Sequence, residues 1–231
     1  MGETNTNEAA DGELLARCAL IATSTWSDAL DVVGIRGIVE GLVRRGGEGR
    51  IAGFAATAQQ VAGEVGQYDK SRFGVGKLIA AARPGRVLMV SSAGAVVSTM
   101  GGLASLAASR QGATGVVIDG ACRDVDEIRE TGLWLASRHV TPRTGKTRLS
   151  LVEMGGPVIV GGIRVEEGDL VVADETGIVV VPRARLHEVL AAAEAALAVD
   201  ELMEQGVRAG LSFAEAAARA NYLPAASEAS E

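Results

Sequence analysis

Apolar residues recur along this chain in two rhythms. Between Glu13 and Ile21 they fall at helical spacing, and a second helical run through Trp26, Ala29, Leu30 and Val33 stops at Gly34, with Ser24 or Ser27 placed to cap its start. Arg44 to Arg50 reads as a connection, Ile51 to Val61 as a strand, and Phe73 to Ala82 as a helix ended by Pro84-Gly85. Arg86 to Val90 is a compact apolar strand, followed by a glycine-bearing loop and a helix from Gly102 to Arg110. The unit then repeats: Thr114 to Asp119 is a short buried-type strand, Gly120 to Arg123 a tight loop and Asp124 to Glu130 a helix. Two successive strand-loop-helix units predict a parallel βα layer.

From Leu133 the rhythm changes. Leu133 to Val140, Val158 to Val165 and Leu170 to Val181 are β-rich, joined by the turn signals Gly161-Gly162, Glu167-Gly168-Asp169 and Asp174-Glu175-Thr176-Gly177. Pro182 opens a long Ala-rich helix to about Gln205, suited to packing on a neighbour, and Ser212 is placed to cap a final short one. The polar ends 1–11 and 225–231 read as flexible tails. What remains, 12–224, reads as one α/β domain with a parallel βα layer, a β-rich second half and appended C-terminal helices.

Composition narrows the function classes. A chain of 231 residues, 48% of them hydrophobic, supplies a sizeable single core. The 22 basic and 29 acidic residues leave a net charge of -7, which argues against the basic stripe of a nucleic-acid binder. Apolar runs are broken well before the roughly 18–20 residues of a bilayer span, and no charged segment and apolar signal core stand at the amino terminus. With only Cys18 and Cys122 as cysteines, the expected setting is the cytoplasm, without membrane or nucleic-acid partners.

Two stretches carry candidate chemistry. Asp119-Gly-Ala-Cys-Arg-Asp124 places three charged groups at the carboxyl end of a strand and the start of a helix, the edge of an α/β sheet where ligands bind. Position alone permits two readings. Asp119 and Asp124 are turn and cap residues with Arg123 as their ion-pair partner, or Arg123 and Asp124 form a site. In Ser98-Thr-Met-Gly-Gly-Leu103, glycines open a helix whose free N–H groups can receive an anion, or they form a packing loop.

These stretches occur in one order with Thr141-Pro142, Gly161-Gly162, Val165-Glu-Glu-Gly-Asp169 and Ala173-Asp-Glu-Thr-Gly-Ile-Val-Val-Val-Pro182. From about Trp26 to Pro182 the series resembles the class II 4-hydroxy-4-methyl-2-oxoglutarate/4-carboxy-4-hydroxy-2-oxoadipate aldolases, a family that shares its fold with the regulator of ribonuclease E activity A. The resemblance implies a β/β/α swivelling-type fold, trimers or hexamers, and active sites at subunit interfaces. It implies Mg²⁺ or Mn²⁺ held by Asp124 and waters, and Arg123 on the keto and carboxylate end of the substrate. The helix start from Gly101 through Gly102, Leu103 and Ala104 to Ser105 would receive the pyruvyl carboxylate. A hard cation on an α-keto acid stabilises a pyruvate enolate, so retro-aldol cleavage and oxaloacetate decarboxylation share one intermediate. Arg123 adds fixed charge where the enolate oxygen develops.

The chain departs from that pattern in two places. Gly102 stands where these aldolases usually carry an acid that helps organise the catalytic water, and Val65 to Arg72 replaces the usual loop shaping the distal pocket. The family also takes an acidic residue from a neighbouring subunit's C-terminal helix, for which Glu201, ahead of Asp200, is the candidate. The missing acid suits a second reading, a non-catalytic protein-binding regulator of the ribonuclease E type; the Arg123-Asp124 pair suits the lyase. A third is a family member recruited to a different reaction in a specialised pathway. His139 and His187, far apart on different elements, read as structural or surface residues. Cys122 reads as a small packing residue, Asp174 and Glu175 as turn residues, and Trp26 and Trp134 as core or interface anchors.

Overall fold

The structure, a computed structural model, describes residues 3–222, with side chains from Ala10 onward. Helices α1 (Glu3–Leu20) and α2 (Thr23–Val33) open the described chain. From Glu3 onward the stretch expected as an amino-terminal tail, 1–11, is helical. Glu8, Ala9 and Ala10 favour a helix over coil, and Asp11 anchors the segment by accepting from Arg183 Nη2 at 3.2 Å. The stretch 225–231 lies outside the described residues.

Neither Ser24 nor Ser27 caps α2. A remote carboxylate does so: Asp174 accepts from the Thr23 amide at 3.0 Å and the Thr23 hydroxyl at 2.6 Å. Leu15, Cys18, Ile21, Trp26, Ala29 and Leu30 from this opening are all buried.

Strands β1 (Ile38–Val39) and β2 (Val43–Gly46) precede the long β3 (Ile51–Ala62). β2 occupies part of the stretch expected as a connection. It carries two arginines and only one apolar residue, so it shows no β alternation, yet it pairs with the sheet edge and Arg45 Nε donates to Ser137 Oγ at 3.2 Å. The helix expected from Phe73 divides in two: a 3-10 turn, Lys70–Phe73, is separated from α3 (Val75–Ala81) by Gly74 at φ 67°.

Then follow β4 (Arg86–Ser91), β5 (Ser98–Met100), α4 (Gly102–Arg110), β6 (Gly115–Cys122), α5 (Val125–Glu130) and β7 (Leu135–Val140). β6 continues through Gly120, Ala121 and Cys122, expected as loop, because Ala121 and Cys122 pair with His139 and Val140. A strand missed in the sequence, β8 (Leu149–Met154), pairs antiparallel with the end of β3.

Gly161 and Gly162, at φ 54° and 83°, turn the hairpin β9 (Val158–Val160) and β10 (Ile163–Val165). β11 (Leu170–Ala173) and β12 (Ile178–Val181) flank the Asp174 turn. After Pro182 a 3-10 turn, Arg183–Arg185, delays the long helix α6 to Leu186–Arg208. Ser212 and Glu215 cap each other reciprocally to begin α7 (Phe213–Ala220).

One mixed sheet runs β1-β12-β11-β3-β4-β6-β7-β2, with β5 against β6 and β8 against β3. Its centre, β3-β4-β6-β7, is parallel. Every residue of β6 is buried, Asp119 among them, as a central parallel strand covered on both faces requires. One face packs Leu88, Val90, Val116 and Ile118 with Leu78, Ala108 and Ile128 from α3, α4 and α5. The other packs Val87, Met89 and Val117 with Val158, Val160 and Val165 of the hairpin. α1, α2 and α6 form a separate core with β11 and β12. The result is an α/β domain with a curled mixed sheet and C-terminal helices, as expected.

Candidate active site

β6 delivers Arg123 to the carboxyl edge of the parallel layer, and the Arg123 amide donates to Met100 O at 3.1 Å, which holds it beside β5. Asp124 then takes a left-handed conformation, φ 55° and ψ 48°, which aspartate tolerates better than most residues. It stands at the N-cap position of α5 but does not cap that helix. The turn aims its carboxylate across to α4, where Oδ2 accepts from the Gly102 amide at 3.3 Å and lies 3.4 Å from Arg123 Nε. Oδ1 has no partner among the described residues. Both side chains are about one-third exposed, at 37% for Arg123 and 36% for Asp124.

Gly101 and Gly102 are required by this approach. A Cβ on Gly101 would collide with Asp124 Oδ2 and lie 2.9 Å from Arg123 Cγ. A Cβ on Gly102 would fall within the Glu127 carboxylate and lie 2.7 Å from Glu127 Cβ. The first turn of an α-helix has amides without intrahelical partners. Asp124 takes that of Gly102, leaving those of Leu103 and Ala104 toward the opening.

Arg123, Asp124 and this helix start line a cavity of about 600 Å³. Phe73, Val75, Ile79 and Leu103 form an apolar wall, while Thr144, Lys146 and Glu127 supply polar groups. Of the five helix-start positions expected to bind substrate, Gly101, Leu103 and Ala104 line the cavity; Gly102 lies beneath Glu127, and Ser105 is fully buried with its hydroxyl unpartnered. One turn into α4, the Ser105 side chain faces the core. Glu201 is exposed on α6, which contributes nothing to this cavity within the protomer; Asp200 accepts from Thr25 Oγ1 at 3.3 Å. Glu127 and Lys146 were not singled out in the sequence. Glu127 was traceable, standing one helical turn after Asp124.

Asp119 belongs to a different structure. It is buried, its Oδ1 accepts from Arg138 Nε at 2.6 Å, and its Oδ2 accepts from the Gly161 amide at 2.7 Å. It ties the hairpin to the sheet, and Arg138, not Arg123, is its ion-pair partner; the carboxylate beside it raises the Arg138 pKa. Cys122 is buried, hydrogen-bonded with Ser137 Oγ at 3.3 Å, and burial raises its thiol pKa, so it packs rather than attacks. His139 in β7 is half-buried and His187 on α6 exposed. Among the described residues no group of three or more His, Cys, Asp and Glu side chains is arranged to hold a metal ion. No described helix is long and apolar enough to cross a membrane.

A family model described as RraA-like, Aldolase/RraA, matches residues 23–180. The chain belongs to the RraA-like family. A Thermus thermophilus relative named 4-hydroxy-4-methyl-2-oxoglutarate aldolase is 33% identical over 99 residues, 42% of this chain and 60% of its own length. A Halalkalibacterium halodurans protein bearing the same name with a provisional qualifier is 26% identical over 199 residues, 86% of this chain and 90% of its own. The chain covers only 43% of the Methanocaldococcus jannaschii relative MJ0644 and 31% of the Legionella pneumophila protein DlpA. Among solved RraA-like structures, Streptomyces coelicolor RraAS2, described as an unusual member of the RNase ES inhibitor RraA family, superposes with TM-score 0.70 at 26% identity, covering 87% of this chain and 97% of that one.

Proposed function

We propose that this RraA-like protein is a divalent-metal-dependent lyase that cleaves a C–C bond of an α-keto acid through a pyruvate enolate. The observation that carries the reading is the convergence of Arg123, the unengaged Oδ1 of Asp124 and the first-turn amides of α4 on one cavity. A relative named, with a provisional qualifier, as an aldolase and matched over 86% of this chain supports it, as do aldolase-named relatives matched over about two fifths of it.

The donor set fits a hard cation. Mg²⁺ keeps several waters and needs only one or two carboxylates, and Asp124 Oδ1, without a partner among the described residues, is placed to hold it. When bound, such an ion supplies Lewis-acid charge to the keto group. The protein's own part is binding and charge placement. The Leu103 and Ala104 amides and the helix dipole suit a carboxylate, and Arg123 presents a planar guanidinium to the developing enolate oxygen. Phe73, Val75, Ile79 and Leu103 keep the reacting carbons dry. Lys146, without an ion pair among the described residues, suits a second carboxylate at the far end of a 4-hydroxy-2-oxo diacid.

This reading includes oxaloacetate decarboxylation, assembly into trimers or hexamers, and Glu201 reaching a neighbouring subunit's site. The test is release of pyruvate, in a coupled assay, from 4-hydroxy-2-oxo acids and oxaloacetate with Mg²⁺ or Mn²⁺. Turnover that stops with EDTA and returns with the metal is expected; full turnover in EDTA removes the metal from the scheme. A second reading, a protein-binding regulator, is favoured by the RraAS2 likeness and by Gly102 in place of an acid. It predicts stoichiometric binding of a ribonuclease and no turnover of any keto acid.

A further inference from the structure

Glu127 is exposed and three residues after Asp124, and a carboxylate there has ample solvent to enter. It folds back across α4 instead. The position a Gly102 side chain would take lies 2.9 Å from Glu127 Cδ, and its oxygens make no hydrogen bond or ion pair among the described residues. Its neighbour Asp126 behaves in the opposite way, 98% exposed and paired with Arg129. An anion is favoured near the amino end of a helix. The Glu127 carboxylate is therefore aimed into the cavity, beside Arg123 and Asp124, with its hydrogen-bonding capacity uncommitted.

We propose that Glu127 is the proton acceptor of the C–C cleavage, occupying from α5 the space that a side chain at position 102 of α4 would fill. The role rests on the lyase reading. The proton of the substrate's 4-hydroxyl passes to Glu127, and the oxygen's electron pair forms the new carbonyl as the C3–C4 bond breaks. The electrons of that bond enter the enolate, whose oxygen faces Arg123. Protonated Glu127 then returns the proton to C3, giving pyruvate and the original carboxylate. No oxidant or reductant is needed.

The chemistry supplies its own control. Oxaloacetate has no hydroxyl to deprotonate, so its decarboxylation uses the same enolate without this first transfer. In the full-length protein with Mg²⁺, Glu127→Gln is expected to lower kcat for 4-hydroxy-4-methyl-2-oxoglutarate by about 10²-fold or more with KM little changed, the usual scale of a lost acid-base group. Decarboxylation should fall only a few fold, and Mn²⁺ affinity, read from the spin-resonance signal of the free ion, should hold. Gly102→Asp combined with Glu127→Gly, which also removes the Cβ that would lie 2.7 Å from a side chain at 102, should recover much of the lost cleavage, whereas Gly102→Asp alone should lower it, because two side chains then compete for one space. Equal cleavage by Glu127→Gln and the unaltered protein, or a parallel fall of both activities, would overturn the role. An unaltered protein that releases pyruvate from neither compound would overturn the lyase reading itself, and this role with it.

Discussion

Asp119 and Asp124 stand five positions apart in one stretch, yet the fold uses them in opposite ways. Both oxygens of Asp119 are engaged, by the Arg138 guanidinium and the Gly161 amide, and the residue is buried. Asp124 spends one oxygen on Gly102 and Arg123 and turns the other toward a cavity. Asp169 and Asp174 follow the first pattern: Asp169 receives the Glu166 and Arg183 amides, and Asp174 receives Thr23 and its own turn. A carboxylate saturated by protein donors holds elements together, and one left half-satisfied beside an opening is available to a ligand.

The difference is open to attack from the active-site side first. Asp124→Ala is expected to abolish pyruvate release, on the order of 10³-fold or more, since several kcal/mol of charge stabilisation go with the cation it would hold. Because the side chain is partly exposed, the melting temperature should move little. Retained turnover in Asp124→Ala would place the chemistry elsewhere.

Arg123→Lys probes the geometry of charge as opposed to its presence. A lysine keeps the positive charge and loses the planar fork, so a fall in kcat of about 10²-fold is expected, comparable with losing one preorganised donor to a developing anion. Steady-state kinetics at saturating metal decide it. An unchanged kcat would mean that Arg123 serves only as the ion-pair partner of Asp124.

Asp119→Ala should show the reverse profile: a loss of stability with chemistry intact in whatever remains folded. Removing it strands a guanidinium and an amide, at a cost of about 2–3 kcal/mol given that Arg138 keeps some contact with water. Urea unfolding reads the loss directly. A larger effect on kcat than on the unfolding midpoint would erase the distinction between the two aspartates.

That distinction was only partly legible in the sequence. The α4 boundaries, the β6 start and the Gly161-Gly162 hairpin follow from apolar runs and glycines, because those patterns are local. β2 and β8 escaped, the first because Arg45 reaches Ser137 and the carbonyls of Ser137 and Arg138 while Arg44 pairs with Glu175, the second because its pairing with β3 is set across nearly a hundred residues. Arg123 and Asp124 were found because neighbouring motifs pointed to them. Arg138 and Glu127 were not, since the charge that pairs with Asp119 and the one that covers Gly102 are chosen by three-dimensional approach. Asp174 was read as a turn residue, and it is one, but its second task, capping α2, joins residues 151 positions apart.

Asp174 also offers the finest test, through pH. Burial works against charging it, but the Thr23 hydroxyl and amide and the Thr176 and Gly177 amides together outweigh that and hold its carboxyl below the usual range. A carboxyl depressed in the folded state binds its proton more readily when unfolded, so its contribution is complete above the unfolded value of about 3.9 and disappears as pH falls through the lower folded one. Asp174→Asn should therefore cost about 1–2 kcal/mol at neutral pH, the scale of a lost helix cap with a charged acceptor. The gap between the two proteins, measured by urea unfolding, should stay level from pH 7 to about 5 and narrow below about 4. A gap of constant size into the acid range would mean that Asp174 acts through shape alone, and its carboxylate charge would then add nothing to the cap it places on α2.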